Sequence, residues 1–308
     1  MPQKVICYGN PVYDLITTPQ IQTSDRVLSG CSTNACLGLS KLGLATYLVG
    51  NVGDDYSSAL KQDLTRRNIG FELYHSAQTG GFQLEYYDDQ GNRNLSVLGE
   101  AGDIQFAIPP FLKDADLVLF GPILGEVSAE FGRQLRQHTS APFFLDPQGT
   151  LRKIKDGKVT HEMTEDFKEL TRMSRVVKAN ELETHTVTGL DPRSNPRKAV
   201  EALHRFGAEI SIVTLAEAGS VIFDGKSYYE IPPYITNAID PTGAGDTYAA
   251  GFCYQYLQDA TDLLAAGCFG SAVASVMVEN SGPDFPLTLD EAITRQKKLL
   301  QGPLKVKL

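Results

Sequence analysis

The chain has 308 residues, 42% of them hydrophobic, with a formal charge of −9 and a sequence pI near 5.1. That is enough chain for one large α/β domain with an appendage or for two smaller domains; no low-complexity tract or flexible linker interrupts it, so a single domain over 1–308 is expected. The acidic balance and the lack of a dense Lys/Arg block argue against a nucleic-acid or membrane-surface protein, so any anionic ligand must be held locally.

Five cysteines, Cys7, Cys31, Cys36, Cys253 and Cys268, show no C-x-x-C or Cys/His ligand spacing. Their odd number fits poorly with a disulfide framework and reads as reduced, buried thiols. The start Met1-Pro2-Gln3-Lys4-Val5-Ile6-Cys7 lacks a long apolar signal region, and no apolar run approaches the roughly 20 residues that span a bilayer. A cytoplasmic protein is expected.

Residues 5–8 are a short apolar run closed by Gly9-Asn10-Pro11, the pattern of a buried first strand opening onto a crevice. Asp14 lies just beyond it, placed either to meet a ligand hydroxyl or to hold a turn. Ser29-Gly30-Cys31-Ser32-Thr33-Asn34-Ala35 precedes a helix that ends at Gly43, before a strand over 45–49. Gly50-Asn51-Val52-Gly53-Asp54-Asp55 then reads as scaffold, with an Asp to cap the helix carrying Leu60 and Leu64.

From 80 to 98 the period changes to two: Phe82, Leu84 and Tyr86 alternate with polar residues, Asp88-Asp89-Gln90-Gly91-Asn92 supplies turn chemistry, and Leu95 and Val97 resume the alternation. This hairpin and a stretch near 11–29 are expected to form a small sheet over about 11–29 and 80–100. Such a sheet cannot bury both faces alone, so it covers a ligand, pairs with a second subunit, or both.

After Pro109-Pro110, strands at 117–120, 143–145 and 176–178 with a helix at 127–137 indicate a parallel sheet covered by helices. Asp146-Pro147-Gln148-Gly149-Thr150-Leu151-Arg152 ends one of these strands and borders the crevice. Lys178-Ala179-Asn180-Glu181-Leu182-Glu183 follows the next, with Asn180 and Glu183 one helical turn apart, able to face the same ligand or else merely to form a capped, solvated helix start. A buried strand over 210–215 leads through Ala216-Glu217-Ala218-Gly219-Ser220 into paired strands at 221–223 and 228–231. Helices over 263–279 and 289–300 close the chain, separated by Asn280-Ser281-Gly282.

Between these lies Asp240-Pro241-Thr242-Gly243-Ala244-Gly245-Asp246-Thr247-Tyr248-Ala249-Ala250-Gly251-Phe252. Gly243, Ala244 and Gly245 let backbone N–H groups approach a ligand closely, and a helix starting near Asp246 adds unpaired donors and a positive dipole end. Phosphate is the anion this suits. Asp246 is then either an ordinary N-cap or a general base aimed at an alcohol that attacks phosphorus.

This string closely resembles the C-terminal signature of the ribokinase-like (PfkB) carbohydrate kinases, and the resemblance extends over essentially the whole chain. It implies a three-layer, doubly wound, mostly parallel α/β sheet with a small β-sheet lid. It makes Asp246 the base and the 243–245 backbone the anion hole. Gly30 and Asn34 match the acceptor-gripping motif, with Cys31 and Ser32 replacing the usual small residues, and Asp14 would join them on the acceptor's hydroxyls.

Asn180 and Glu183 match the Asn-x-x-Glu motif that organises Mg²⁺, its waters and the ATP phosphates. Thr214 to Gly219 resembles the nucleotide-binding Thr-Leu-Gly-x-x-Gly segment, with Ala216 in place of its first glycine, and Ser271 would lie near the base. Asp240 and Thr242, with carbonyls near 280–282, would hold a monovalent cation such as K⁺.

The resemblance further implies an ATP-dependent kinase acting on a sugar, polyol or nucleoside, and a homodimer formed through the lid. Inositol-like polyols and nucleosides are the alternative acceptors. Sugar phosphates fit less well, because few basic residues flank the acceptor motifs. A catalytically silent ligand sensor on the same fold is the alternative from another class. The chain carries neither a Walker loop nor a protein-kinase His-Arg-Asp constellation.

Overall fold

The computed structural model describes residues 2–87, 93–155, 157–302 and 305–307. In chain order, β1 (Lys4–Tyr8), β2 (Val12–Thr17) and β3 (Val27–Ser29) precede α1 (Cys31–Lys41), β4 (Ala45–Gly53), α2 (Asp54–Arg66) and β5 (Ile69–Ser76). The hairpin strands β6 (Gly81–Tyr86) and β7 (Arg93–Gly99) follow; the turn between them, 88–92, lies outside the described residues. Then come β8 (Leu117–Phe120), α3 (Ala129–Arg136), β9 (Phe143–Leu145), β10 (Arg152–Lys155), β11 (Lys158–His161), α4 (Glu165–Met173), β12 (Val176–Ala179), α5 (Glu181–Thr188) and α6 (Pro196–His204). The chain continues through β13 (Ile210–Thr214), β14 (Ser220–Phe223), β15 (Tyr228–Ile231), α7 (Ala244–Gln258), α8 (Leu263–Val278), α9 (Leu289–Leu300) and β16 (Lys305–Lys307).

The main sheet runs β16-β15-β14-β13-β12-β9-β8-β1-β4-β5. Every neighbouring pair from β13 to β5 is parallel, and β14 to β16 add an antiparallel edge. The pleat separates two cores. Val5 and Cys7 face a cluster built with α1, α2, α7, α8 and α9, whereas Ile6 and Tyr8 face one built with α3 to α6. Helices on both faces of a mostly parallel sheet give the three-layer α/β fold.

The second sheet, β10-β11-β7-β6-β2-β3, packs one face over a smaller cluster of Val12, Ile16, Cys31, Phe82, Leu84, Tyr86 and Ile123. It is larger than the sequence indicates, because β10 and β11 join from 152–161. Their residues Arg-Lys-Ile-Lys and Lys-Val-Thr-His are mostly charged or polar, and the strands are four residues each, too short for alternation to stand out.

Two local expectations change. The Asp54-Asp55 pair does not cap α2: Gly53 is its N-cap, and Asp55 Oδ1 instead accepts from the Thr79 N–H at 3.1 Å and hydroxyl at 2.6 Å, fastening the start of the helix to the connection between β5 and β6. The helix expected at 127–137 spans Ala129–Arg136, capped by Ser128. Gly43 does end α1 with φ +89°, where a side chain would be strained.

Candidate functional site

Close helix packing brings the two glycine-led helix starts together. A Cβ on Gly38 of α1 would lie 2.8 Å from the Ala250 Cβ of α7, and one on Gly251 would lie 2.9 Å from the Gly270 Cα of α8, so small residues set these contacts. Gly30 is the N-cap of α1 at φ +112°, and Gly243 is the left-handed N-cap of α7 at φ +80°. Both conformations favour glycine.

Across this junction Asn34 Nδ2 donates to Asp246 Oδ2 at 2.9 Å, and a Cβ on Gly243 would sit 3.0 Å from the same nitrogen. Asp246 lies in the first turn of α7 rather than at its cap, and its side chain makes no capping bond, so the N-cap explanation falls away. The Cys31 thiol lies beside it, its sulfur within 4.8 Å of an Asp246 oxygen. Burial, then repulsion from Asp146, hold the Asp246 carboxyl above the ordinary aspartate value against the opposing help of Asn34, Lys178 and Cys31.

Asp146 at the end of β9 pairs with Lys178 Nζ at 2.8 Å, and both side chains are only 3% exposed. Burial opposes the charge on Lys178, yet Asp146 and Glu183 keep its ammonium above the ordinary lysine range. A Cβ on Gly245 would meet Lys178 Nζ at 3.2 Å, so this cation underlies the glycine loop. The Ala244 N–H is already donated to Pro241 O at 3.1 Å. Gly243 and Gly245 are the loop glycines whose N–H groups have no partner among the described residues. The expected cradle is therefore narrower in backbone donors and richer by one lysine.

Asn180 and Glu183 bond chiefly to each other. Glu183 N–H donates to Asn180 Oδ1 at 2.9 Å, while the Asn180 N–H and Nδ2 donate to the two Glu183 oxygens, each at 2.8 Å. This is a reciprocal capping box for α5. Unlike a solvated helix start, Glu183 is buried: burial and then Asp146 push its carboxyl up to about 7, despite Lys178, the Asn180 N–H and Arg152.

Asp14 is fixed within the second sheet. Its Oδ1 accepts the Phe82 N–H at 2.7 Å, and burial raises its carboxyl to about 6. It makes no hydrogen bond to Asn34 among the described residues. Tyr86 carries the same sheet onto the loop, its hydroxyl 3.0 Å from Thr242 Oγ1 and accepting from Arg93 Nη1 at 2.9 Å.

The remaining expected residues hold structure elsewhere. Asp240 Oδ1 accepts the Thr242 N–H at 2.9 Å within the loop, and its Oδ2 accepts the Ser281 hydroxyl at 2.7 Å, tying the loop to the segment after α8. Ser271 donates to Pro232 O at 3.0 Å. Thr214 ends β13 opposite Ser220. Ala216 is exposed with φ +46°, and at Gly219, φ +90°, a Cβ would lie 2.1 Å from Ile231 O. Among the described residues Cys31, Asp146 and Asp246 form a group of His, Cys, Asp or Glu side chains able to hold a metal ion, with ligand atoms within 4.8 Å of one another.

Sequence reading gives no role to Asp146, Lys178, Arg93 or Arg152, although Asp146 and Arg152 fall in the segment expected at the crevice. Lys178 carried a usable signal, a lysine closing an apolar strand, because such a residue needs an anionic partner if it stays buried.

The model of the "pfkB family carbohydrate kinase" matches residues 2–289. The chain belongs to the pfkB family of carbohydrate kinases. It is 27% identical over 312 residues to a nucleoside kinase of Methanocaldococcus jannaschii, covering 96% of this chain and 97% of that protein. It is 24% identical to a 5-dehydro-2-deoxygluconokinase of Clostridium tetani, over 93% of this chain and 89% of that one. Among solved structures, a pyrophosphate-dependent kinase of the ribokinase family complexed with a pyrophosphate analog and myo-inositol superimposes with a TM-score of 0.79 at 21% identity, covering 94% and 99% of the two chains. Membership makes this a PfkB-type phosphotransferase acting on sugars or nucleosides. No described helix is long and apolar enough to cross a membrane.

Proposed function

We propose that this pfkB kinase transfers the terminal phosphoryl group of ATP to a hydroxyl of a sugar, polyol or nucleoside, with Asp246 as general base. The observation that carries the reading is the meeting of a proton-accepting carboxylate with an anion cradle. Asp246 stands beside the free N–H groups of Gly243 and Gly245 and above the ammonium of Lys178. Charge building on the transferring group is met by fixed donors, and the attacking hydroxyl has a base within the same turn. Asn34 orients that base through its 2.9 Å bond.

Asp146 and Glu183 are hard oxygen donors that suit Mg²⁺, an ion that keeps several of its waters and needs few protein ligands. Bound with the nucleotide, Mg²⁺ supplies charge neutralisation on the phosphates. Asp240 and Thr242, with carbonyls near 280–282, are proposed to hold a monovalent cation beside the loop, where Asp240 already accepts the Ser281 hydroxyl. The segment 214–219 is proposed as the nucleotide edge and the second sheet as the cover over the acceptor; pairing of that sheet with a second copy is tested by light scattering. The relatives' names span nucleosides, a sugar acid and, by fold, an inositol, so the acceptor panel must include all three.

A phosphoryl-transfer screen with ATP and Mg²⁺ against that panel tests the reading. Transfer to at least one acceptor supports it; specific binding without transfer to any would favour the ligand sensor.

A further inference from the structure

Arg152 and Arg93 are two cations that the mechanism above does not use. Arg152, at the start of β10, is 6% exposed. Its guanidinium makes one long hydrogen bond, Nη1 to Ile123 O at 3.4 Å, and its Nε is buried without a partner. Arg93, half-buried at the start of β7, donates from its guanidinium to Tyr86 Oη and to no other group among the described residues. Neither takes part in an ion pair among the described residues. A guanidinium carries five donors, and a buried one without an anionic partner is costly.

Asp246 and Glu183 favour the charge on Arg93, and Glu183 and Asp14 that on Arg152, but no carboxylate makes a hydrogen bond or ion pair with either guanidinium among the described residues. Their own hydrogen bonds come from elsewhere: Asp14 accepts the Phe82 N–H, Glu183 accepts the Asn180 N–H and Nδ2, and Asp246 accepts Asn34 Nδ2. The two arginines also oppose each other: burial and then Arg93 lower the Arg152 value to about 10. His161, opposite Arg152 in the β10–β11 register, is held neutral, its value lowered to about 4 by burial and then by the two arginines. The protein thus gathers positive charge on the underside of the second sheet and leaves its donors open.

Arg152 lies over the Phe82 ring, 5.5 Å from its centroid, and the Phe82 N–H donates to Asp14, so this arginine lies beneath the sheet proposed above to cover the acceptor. Arg93 is linked through Tyr86 to Thr242, directly ahead of the glycine loop. A ligand spanning the two would carry its anionic group beneath the second sheet and still reach Asp246 with a hydroxyl. We propose that the phosphoryl acceptor is itself anionic, a sugar acid or a sugar phosphate, and that Arg152 and Arg93 bind its carboxylate or phosphate. This rests on the kinase reading and replaces the expectation from sequence that phosphorylated sugars fit poorly. Planar guanidinium forks suit both anions.

The test uses acceptor pairs that differ by one anionic group, hexonates against hexitols and hexose phosphates against hexoses, assayed with the whole enzyme, ATP and Mg²⁺. One anionic member should exceed its neutral partner in kcat/KM by at least about 10²-fold. Arg152→Met and Arg93→Gln should each lower that preference about 10-fold or more, through the acceptor KM; Arg152→Lys, with charge but no fork, should fall between. Melting temperatures identify any variant that fails to fold, and calorimetry of the same pairs without donor gives a second readout on wild-type protein.

If the neutral members are used or bound as well as the anionic ones, the inference is overturned while the kinase reading stands. It is overturned equally if the variants raise the KM for ATP rather than for the acceptor. Tight binding of an anionic member, lost in the arginine variants but with no transfer to any acceptor, would support the anion site and sink the kinase reading. The hexonate and hexose phosphate arms tell carboxylate from phosphate.

Discussion

Asp246 must be ionised to accept a proton, and its surroundings make ionisation harder. Burial and Asp146 raise its value, so activity should fall as pH drops through a point above the ordinary aspartate value of 3.8. A kcat/KM profile whose acid limb sits at ordinary aspartate values would remove Asp246 from that role. Ala216 shows another single-residue constraint. Its φ of +46° is a conformation that glycine adopts freely and alanine tolerates at a cost. The sequence marks the position as an alanine standing where the family has glycine, and the backbone keeps the glycine-like turn regardless. A β-branched side chain cannot follow it there, so Ala216→Val should cost about 1–3 kcal/mol in denaturant unfolding. A loss below a few tenths of a kcal/mol would mean that the turn relaxes.

At the scale of elements, the start of α5 and the hairpin β6–β7 each join the fold to the chemistry. Glu183 is raised from 4.5 to about 7, so the folded chain binds more protons than the unfolded one between those values. Stability from this group is therefore full below about 4.5 and is lost as pH rises through about 7. Asp14, at about 6, acts with the same sign. Glu183→Gln should flatten the decline in melting temperature between pH 5 and pH 7.5 in ligand-free protein; an unchanged slope would show that Glu183 does not titrate there. Tyr86 bridges the hairpin to Thr242, so Tyr86→Phe should cost about 1–2 kcal/mol. It should raise the acceptor KM more than the ATP KM, and equal effects would detach the second sheet from the acceptor.

These elements were legible in sequence to different degrees. The hairpin showed itself through the alternation of Phe82, Leu84 and Tyr86, and strands such as Leu117–Phe120 and Phe143–Leu145 through apolar runs with turn residues at their ends. Strands β10 and β11 did not, because charged four-residue strands carry almost no periodicity. The Asn180–Glu183 spacing was visible as a pair of ligand candidates, but the capping box that consumes them is a matter of side-chain rotamers.

For the whole molecule, the parallel order of the main sheet puts α1, α5 and α7 starts, far apart in the chain, around one crevice. The DPTGAGD string located that crevice because its chemistry is local: glycines, a helix start and an acid within a few residues. The charges that surround it come from strand ends at 146 and 178 and from the second sheet at 93 and 152, and only the folded sheet order brings them together. Asn34 illustrates the same limit. Sequence paired it with Asp14 on an acceptor, whereas the fold gives its amide to Asp246.

The central claim is that one carboxylate at the start of α7 removes the proton from the attacking hydroxyl. Its most direct test is the steady-state turnover of Asp246→Asn on the best acceptor of the wild-type enzyme, with ATP affinity measured alongside by calorimetry. Loss of the base at nearly constant shape should lower kcat by about 10²–10⁴-fold and leave ATP binding and the melting temperature almost unchanged. A kcat within a few-fold of wild type would contradict the assignment.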